Sequence, residues 1–212
     1  MLQARVLAGR AKRTGTRTAS SRHVCNWTFP DKPAIRIRQM EEAVRLIKTM
    51  WTEERATFHG RYFQVEDAIL EPKPVQKPHP PIMIGGSGEQ LTLRALARVG
   101  DACNIFGDPD TVKHKYDVLR RHCEKEGRNF EEIERTNLTG LLLARDEAAL
   151  KAKRERLAVP YPFRGFAITL PQAIDLIGRY QDVGTQLFIC SLYRNDRESM
   201  ELLAGEVIPQ FN

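Results

Sequence analysis

The chain has 212 residues, 42% of them hydrophobic and 28% charged, enough to bury a sizeable core as one domain or two small ones. The formal net charge is +6, but residues 1–30 hold six basic side chains and no acid, which leaves 27 basic against 27 acidic in residues 31–212. A neutral body argues against a specific nucleic-acid surface, and no apolar run approaches the ~20 residues of a membrane helix.

The opening segment "GRAKRTGTRTASSRH" is low in apolar residues and carries charge of one sign, the composition of a disordered leader. Residues 1–30 are therefore separated from a folded body, residues 31–212. The basic N-terminus lacks the apolar core of a signal peptide, so the cytoplasm is the expected location. Cys25, Cys103, Cys123 and Cys190 are widely spaced with no C-x-x-C pair, which reads as buried or incidental thiols and no metal site.

In "IRIRQMEEAVRLIKTMW", Ile37, Met40, Val44, Ile47 and Trp51 recur at steps of three and four, which predicts an amphipathic helix over 36–51. "ATFHGRYFQVEDAIL" reads as a short hairpin or an extended excursion, broken at His59-Gly60, and the prolines of "EPKPVQKPHPP" predict a stiff extended connector. A regular alternation follows. "PIMI" predicts a strand closed by Gly85-Gly86, residues 90–99 a helix ended by Gly100, "DACNIF" a second strand, and residues 108–127 a second helix with Asp110 as its cap and Gly127 as its end. "RTNLTGLLLA" predicts a third strand and residues 146–157 a charged helix. After an irregular "AVPYPFRGFAITL" come a helix in "PQAIDLIGRYQDVG", a fourth strand in "TQLFICSL" and a last helix that starts from an Asn195 or Asp196 cap.

Four strand-then-helix units imply a parallel sheet with right-handed crossovers. A flavodoxin-like open sheet, a Rossmann-like half and part of an eight-stranded barrel all satisfy that pattern, and units of this spacing suit the barrel. Gly85, Gly86 and Gly88 let the backbone turn sharply and approach a ligand, while the helix behind them offers unpaired N–H groups and its positive dipole end. Together they predict an anion site, most naturally for phosphate. Ser87 adds a hydroxyl, and Glu89 would repel a phosphate unless it points aside. A tight turn using glycine structurally remains the alternative reading, because neither familiar nucleotide fingerprint is matched.

The stretch from Met40 to Asn104, with its E-E-A helix ending in M-W-T-E, then F-x-G-x-Y-F, P-K-P-V-Q-x-P-x-P-P-I-x-I-G-G-x-G and A-R-x-G-D-A-x-N, resembles the luciferase-like monooxygenase superfamily, in particular its deazaflavin (coenzyme F420)-dependent oxidoreductase branch. The C-terminal "YQDVGTQLFICSLYRNDRESMELLAGEVIP" is similar to the family's last strand and helix. The resemblance implies an α/β fold, a partial TIM (β/α)8-type barrel made of the last four βα units (strands five to eight), with the N-terminal half missing. It implies a flavin-type cofactor, F420 or alternatively FMN, with its phosphate held at Gly85, Gly86, Ser87 and Gly88, and a small organic substrate; Asn104, which ends a strand on the side where barrel sites form, reads either as a polar contact to cofactor or substrate or as a structural residue. Hydride transfer by way of F420 is the implied reaction, FMN-dependent monooxygenation the second.

The family's first four units have no counterpart in residues 1 to about 26, which suggests a leader of another reading frame joined near "NWTFPDKP" and a chain inactive alone. The alternative from another class is a non-catalytic phosphate-binding or oligomerisation module, associating through the exposed half-barrel face.

Of the other candidates, His59 and His79 lie in connectors and His114 and His122 on a charged helix, where solvation is expected. Trp51, Phe58, Tyr62 and Phe63 read as core packing. Arg164 and Arg194 lie beside late strands, where anionic groups could dock.

Overall fold

The computed structural model describes residues 32–160 and 162–211; the basic leader and Cys25 lie outside these residues. The predicted first helix is α1, Pro33–Thr52, whose Val44 is buried while Met40, Ile47 and Trp51 pack partly against the main core. The hairpin is β1 (Ala56–His59) paired antiparallel with β2 (Gln64–Ala68). Glu42 of α1 anchors it by accepting from the N–H groups of Tyr62 at 2.6 Å and Phe63 at 2.8 Å. The connector then leads to β3, Met83–Gly85.

The remaining elements are α2 (Thr92–Val99), β4 (Ala102–Ile105), α3 (Pro109–Glu126), β5 (Glu134–Ala144), α4 (Glu147–Arg156), β6 (Phe166–Thr169), α5 (Leu170–Asp182), β7 (Leu187–Leu192) and α6 (Arg197–Leu202). Past α6 the chain widens into a π-helical turn, Leu203–Val207, and tightens again over Ile208–Phe211. Strands β3 to β7 form one parallel sheet, as the alternation predicts.

Two expectations need correction. The segment read as irregular contains β6, a fifth parallel strand. Its place follows from the register of β5: Thr136 and Asn137 pair with both β4 and β7, and Leu141 with both β6 and β7. Thus β7 lines one edge of β5, and the other edge carries first β4, then β6. Strand β6 continues β4's edge, and the crossover from β5 to β7 passes through α4, β6 and α5. The second correction is the cap of α3. Asp108, not Asp110, accepts from Thr111 N–H at 2.8 Å, because Pro109 occupies the first helical position.

Alternating side chains of β5 divide the helices between two faces. Leu141 and Leu143 pack with Ala173 of α5 and Leu202 of α6, whereas Leu142 and Ala144 pack with Leu150 of α4. On the first face, α2 and α3 bury Leu93, Leu96, Val112 and Leu119 over Ile84, Cys103 and Ile105. The two layers meet around the end of β5. Lys153 of α4, its side chain 1% exposed, donates to the Leu143 carbonyl at 2.5 Å and to Asp196 Oδ2 at 3.0 Å. Ser199 donates to the same carboxylate at 2.6 Å and accepts from Leu143 N–H at 2.9 Å.

Burial alone would raise the Asp196 carboxyl, but the Ser199 and Lys153 hydrogen bonds outweigh it and hold the group below the ordinary aspartate value of 3.8. A depressed folded-state value means that its stabilisation is present above 3.8 and is lost as pH falls through and below it. Replacing Asp196 by Ala leaves the buried ammonium with the half-exposed Glu198 carboxylate at 3.1 Å and the Leu143 carbonyl, and should cost about 1–3 kcal/mol in denaturant unfolding. Asp196→Asn should flatten the acid limb of the stability profile; an unchanged limb would show that the acid sensitivity arises elsewhere.

Candidate functional site

Strands β3 and β4 place the glycine turn. Gly85 lies level with Asn104, and Gly86 N–H donates to the Asn104 carbonyl at 3.1 Å, the last rung between the strands. Gly86 has φ +128°, a backbone region that disfavours any side chain. A Cβ there would lie 3.2 Å from the Thr92 methyl, and one on Gly88 would lie 2.9 Å from the Thr92 hydroxyl. Above Gly85 nothing stands within 4 Å of the Cβ position. The turn is therefore tight against α2 on one side and open on the other.

Helix α2 starts at Thr92, two residues later than predicted, after a turn over 89–91. No side chain caps its N-terminus. Leu93 N–H donates to the Gly88 carbonyl at 3.0 Å, which folds the turn onto the first helical residues. The carboxylate that could oppose an anion here is turned away: Glu89 Oε1 lies 2.5 Å from Lys115 Nζ and 3.0 Å from His114 Nε2, both on α3. His122 Nε2 stands 2.7 Å from the Glu89 carbonyl. The histidines expected to be simply solvated thus hold the turn from α3. The hydrogen bonds from Lys115 and then His114 lower the Glu89 pKa.

Asn104 points to the sheet face opposite α2 and α3, since its neighbours Cys103 and Ile105 belong to the core on that side. Its Oδ1 is buried without a hydrogen-bond partner among the described residues, a costly condition for a polar atom unless a ligand or water meets it. Beyond it, Phe106 is 49% exposed at the rim. The α4 layer lies on the same face, since Thr136, level with Asn104, shares its parity with Leu142 and Ala144. Gly85, Gly86, Ser87, Gly88 and Asn104 therefore form one cluster at the C-terminal ends of β3 and β4.

The other candidates lie apart from it. His79 bonds the Pro80 carbonyl at 3.0 Å and lies 3.9 Å from Asp101, at the N-terminal end of β3. His59 is exposed. Arg164 is exposed, its carbonyl lying where a Cβ on Gly140 would fall, and Arg194 lies over the Tyr193 ring at 5.4 Å with φ +48°. No group of three metal-ligating side chains occurs among the described residues.

The glycine turn and the unsatisfied amide lie at the C-terminal ends of parallel strands, the end of a (β/α)8 barrel at which sites form. A family model, "luciferase-like monooxygenase", matches residues 19–203. The chain belongs to this family.

Among curated relatives, it is 36% identical over 93 residues to the FMNH2-dependent dimethylsulfone monooxygenase of Pseudomonas putida, a match covering 43% of this chain and 25% of that protein. It is 35% identical over 125 residues to the F420-dependent glucose-6-phosphate dehydrogenase of Kineococcus radiotolerans, covering 58% of this chain and 36% of that protein. The matched part is thus a quarter to just over a third of these relatives' length.

Two solved structures share the fold: the coenzyme F420-dependent tetrahydromethanopterin reductase of Methanopyrus kandleri (TM-score 0.68, 16% identity, 85% of this chain and 64% of that one) and a long-chain alkane monooxygenase (TM-score 0.72, 13% identity, 87% and 58%). The described residues make part of such a barrel.

The orientation of Glu89 is open to a direct check. With Lys115→Met, its carboxyl should titrate closer to the ordinary 4.5 in a carbon-detected NMR titration, since Lys115 is the main cause of the lowering. An unmoved Glu89 resonance would mean that the contact does not persist in solution.

Proposed function

We propose that this chain holds the phosphate end of a flavin or deazaflavin in an oxidoreductase site, with coenzyme F420 as the cofactor and FMN as the second reading. The supporting observation is the pairing of the open Gly85–Gly88 turn with the unsatisfied Asn104 Oδ1. The residues fit such a group. Backbone N–H groups at an uncapped helix start suit a phosphate, and Glu89 is drawn off toward α3. An acceptor such as Asn104 Oδ1 suits a donor, so it fits a hydroxyl or ring N–H of the same molecule rather than the phosphate itself. F420 is preferred because the F420-dependent relative matches over 125 residues against 93 for the FMNH2-dependent one.

When bound, such a cofactor supplies the hydride or oxygen chemistry, and the protein binds and orients it. The glycine turn fixes one end and Asn104 the polar middle. The substrate in this reading is a small organic molecule, and the setting the cytoplasm. No helix of the described residues is long and apolar enough to cross a membrane. Catalytic groups of a barrel come from the ends of several strands, and β3, β4, β5 and β7 supply one part of that ring. The half-buried Leu187 and Ile189, on the face of β7 opposite Phe188 and Cys190, favour association with further polypeptide, a second copy included.

Gly86→Val is the first test. It should weaken binding of FMN about tenfold more than binding of riboflavin, because the side chain crowds the anion and strains the turn. Equal losses for both would leave the glycines a purely structural role. The second is turnover: the 212-residue chain with F420 or FMN should stay well below ~1 s⁻¹. An ordinary enzyme rate from the isolated chain would overturn the partial-site reading.

A further inference from the structure

A hollow lies at the other end of the sheet. A cavity of about 500 Å³ opens beside the first residues of β5 and β7, bounded by Arg135, Tyr180, Gln186, Phe188 and Phe211. It adjoins a second of about 340 Å³ that is lined by apolar and thiol side chains alone, among them Cys190, Leu203, Val207 and Ile208. Ile177, Phe188 and Phe211 line both, so the two form one groove between α5, β7 and the C-terminal turn.

The polar end is built around one cation. Arg135 is 8% exposed, a degree of burial rare for an arginine without full pairing. Its Nε donates to the Gly184 carbonyl at 2.9 Å, and its guanidinium stacks 4.9 Å from the Phe130 ring centre. Nη1 faces Glu131 at 2.9 Å but, although buried, lacks the alignment of a hydrogen bond, and the Glu131 side chain is itself 63% exposed. A buried guanidinium with donors to spare is an anion-seeking group. Next to it runs a slot with no polar partner to offer. A groove of this size, polar at the Arg135, Gln181, Thr185 and Gln186 end and apolar along the other, has the character of a site for an amphiphilic small molecule.

We propose that the groove binds an amphiphilic carboxylate, its head on Arg135 and its hydrocarbon chain laid along Phe188 and Cys190 toward Leu203 and Val207. The head would share or replace the Glu131 contact. The chain would cover apolar side chains that are only half-buried in β7. This site lies at the N-terminal ends of the strands and is independent of the cofactor reading, which concerns their C-terminal ends.

Decanoate is the probe, with decanol as its uncharged counterpart, titrated into the full chain by calorimetry and followed by methyl NMR. Decanoate should bind one-to-one, at least ~10-fold tighter than decanol, and shift the methyl signals of Leu203 and Val207. Each added methylene from octanoate upward should tighten binding roughly fourfold. Arg135→Met should remove the preference for the carboxylate while leaving decanol unchanged. Glu131→Gln, on an exposed side chain, should strengthen decanoate binding about two- to fivefold by freeing the guanidinium. That variant keeps the question answerable if Arg135→Met fails to fold. Equal affinity for decanoate and decanol, no gain in Glu131→Gln, or shifts confined to residues outside the groove would each overturn the proposal.

Discussion

Strand β5 has to satisfy eleven residues of backbone on both edges, and the rest of the molecule is arranged by how it does so. One edge is met along most of its length by β7; the other is shared in series by β4 and β6. Side chains of β5 reinforce the pairing with β4. Thr136 donates to the Cys103 carbonyl at 2.6 Å and Asn137 to the Ile105 carbonyl at 2.8 Å. The alignment of β4 sets the height of β3, since Gly85 lies level with Asn104 and Asn104 level with Thr136. The glycine–Asn104 cluster is thus located by pairings two strands away from its glycines.

Most of the fold was legible because its elements carry local signatures. The spacing of Val112, Tyr116, Leu119 and Cys123 marks α3, and Gly127, with φ +67°, ends it in the left-handed conformation that glycine tolerates. Strand β6 was not legible. "FAIT" is four residues between a glycine and a proline-bearing helix start, too short for a period, and it is a strand because β5 outruns β4 and leaves an edge to fill. The side of the sheet taken by α4 was equally hidden. A charged helix after β5 was expected, but only the division of Leu141 and Leu143 from Leu142 and Ala144 assigns it to the face opposite α5.

The candidate site divides along the same line. Three glycines in four positions between a strand and a helix announce a turn from sequence alone. Which way Glu89 points does not follow from its neighbours, because its partners lie 25 and 26 residues away on α3. Opposite charges at that separation are common in any chain, so their contact carries no sequence signal. Asn104 was legible as the end of a strand; that its Oδ1 lacks a partner depends on burial by the whole sheet. Arg135 escaped notice for a similar reason. At the start of "RTNLTGLLLA" it reads as a polar strand boundary, and its burial arises from Phe130 and the Gly184 turn.

Strand β7 carries the argument furthest from local signals. "LFICSL" has apolar residues of both parities, the pattern of a parallel strand covered on both faces and paired on both edges. Among the described residues it pairs with β5 alone, and its side chains are half-buried or exposed. Exposed edges in stable proteins usually carry a lysine, a proline or a bulge that discourages further pairing, and β7 has none of these. Its sequence is therefore suited to a neighbour on the free edge. In a closed barrel every strand has two such neighbours, which is the arrangement that the luciferase-like fold provides. The same constraint that orders the described sheet around β5 is left unmet at β7.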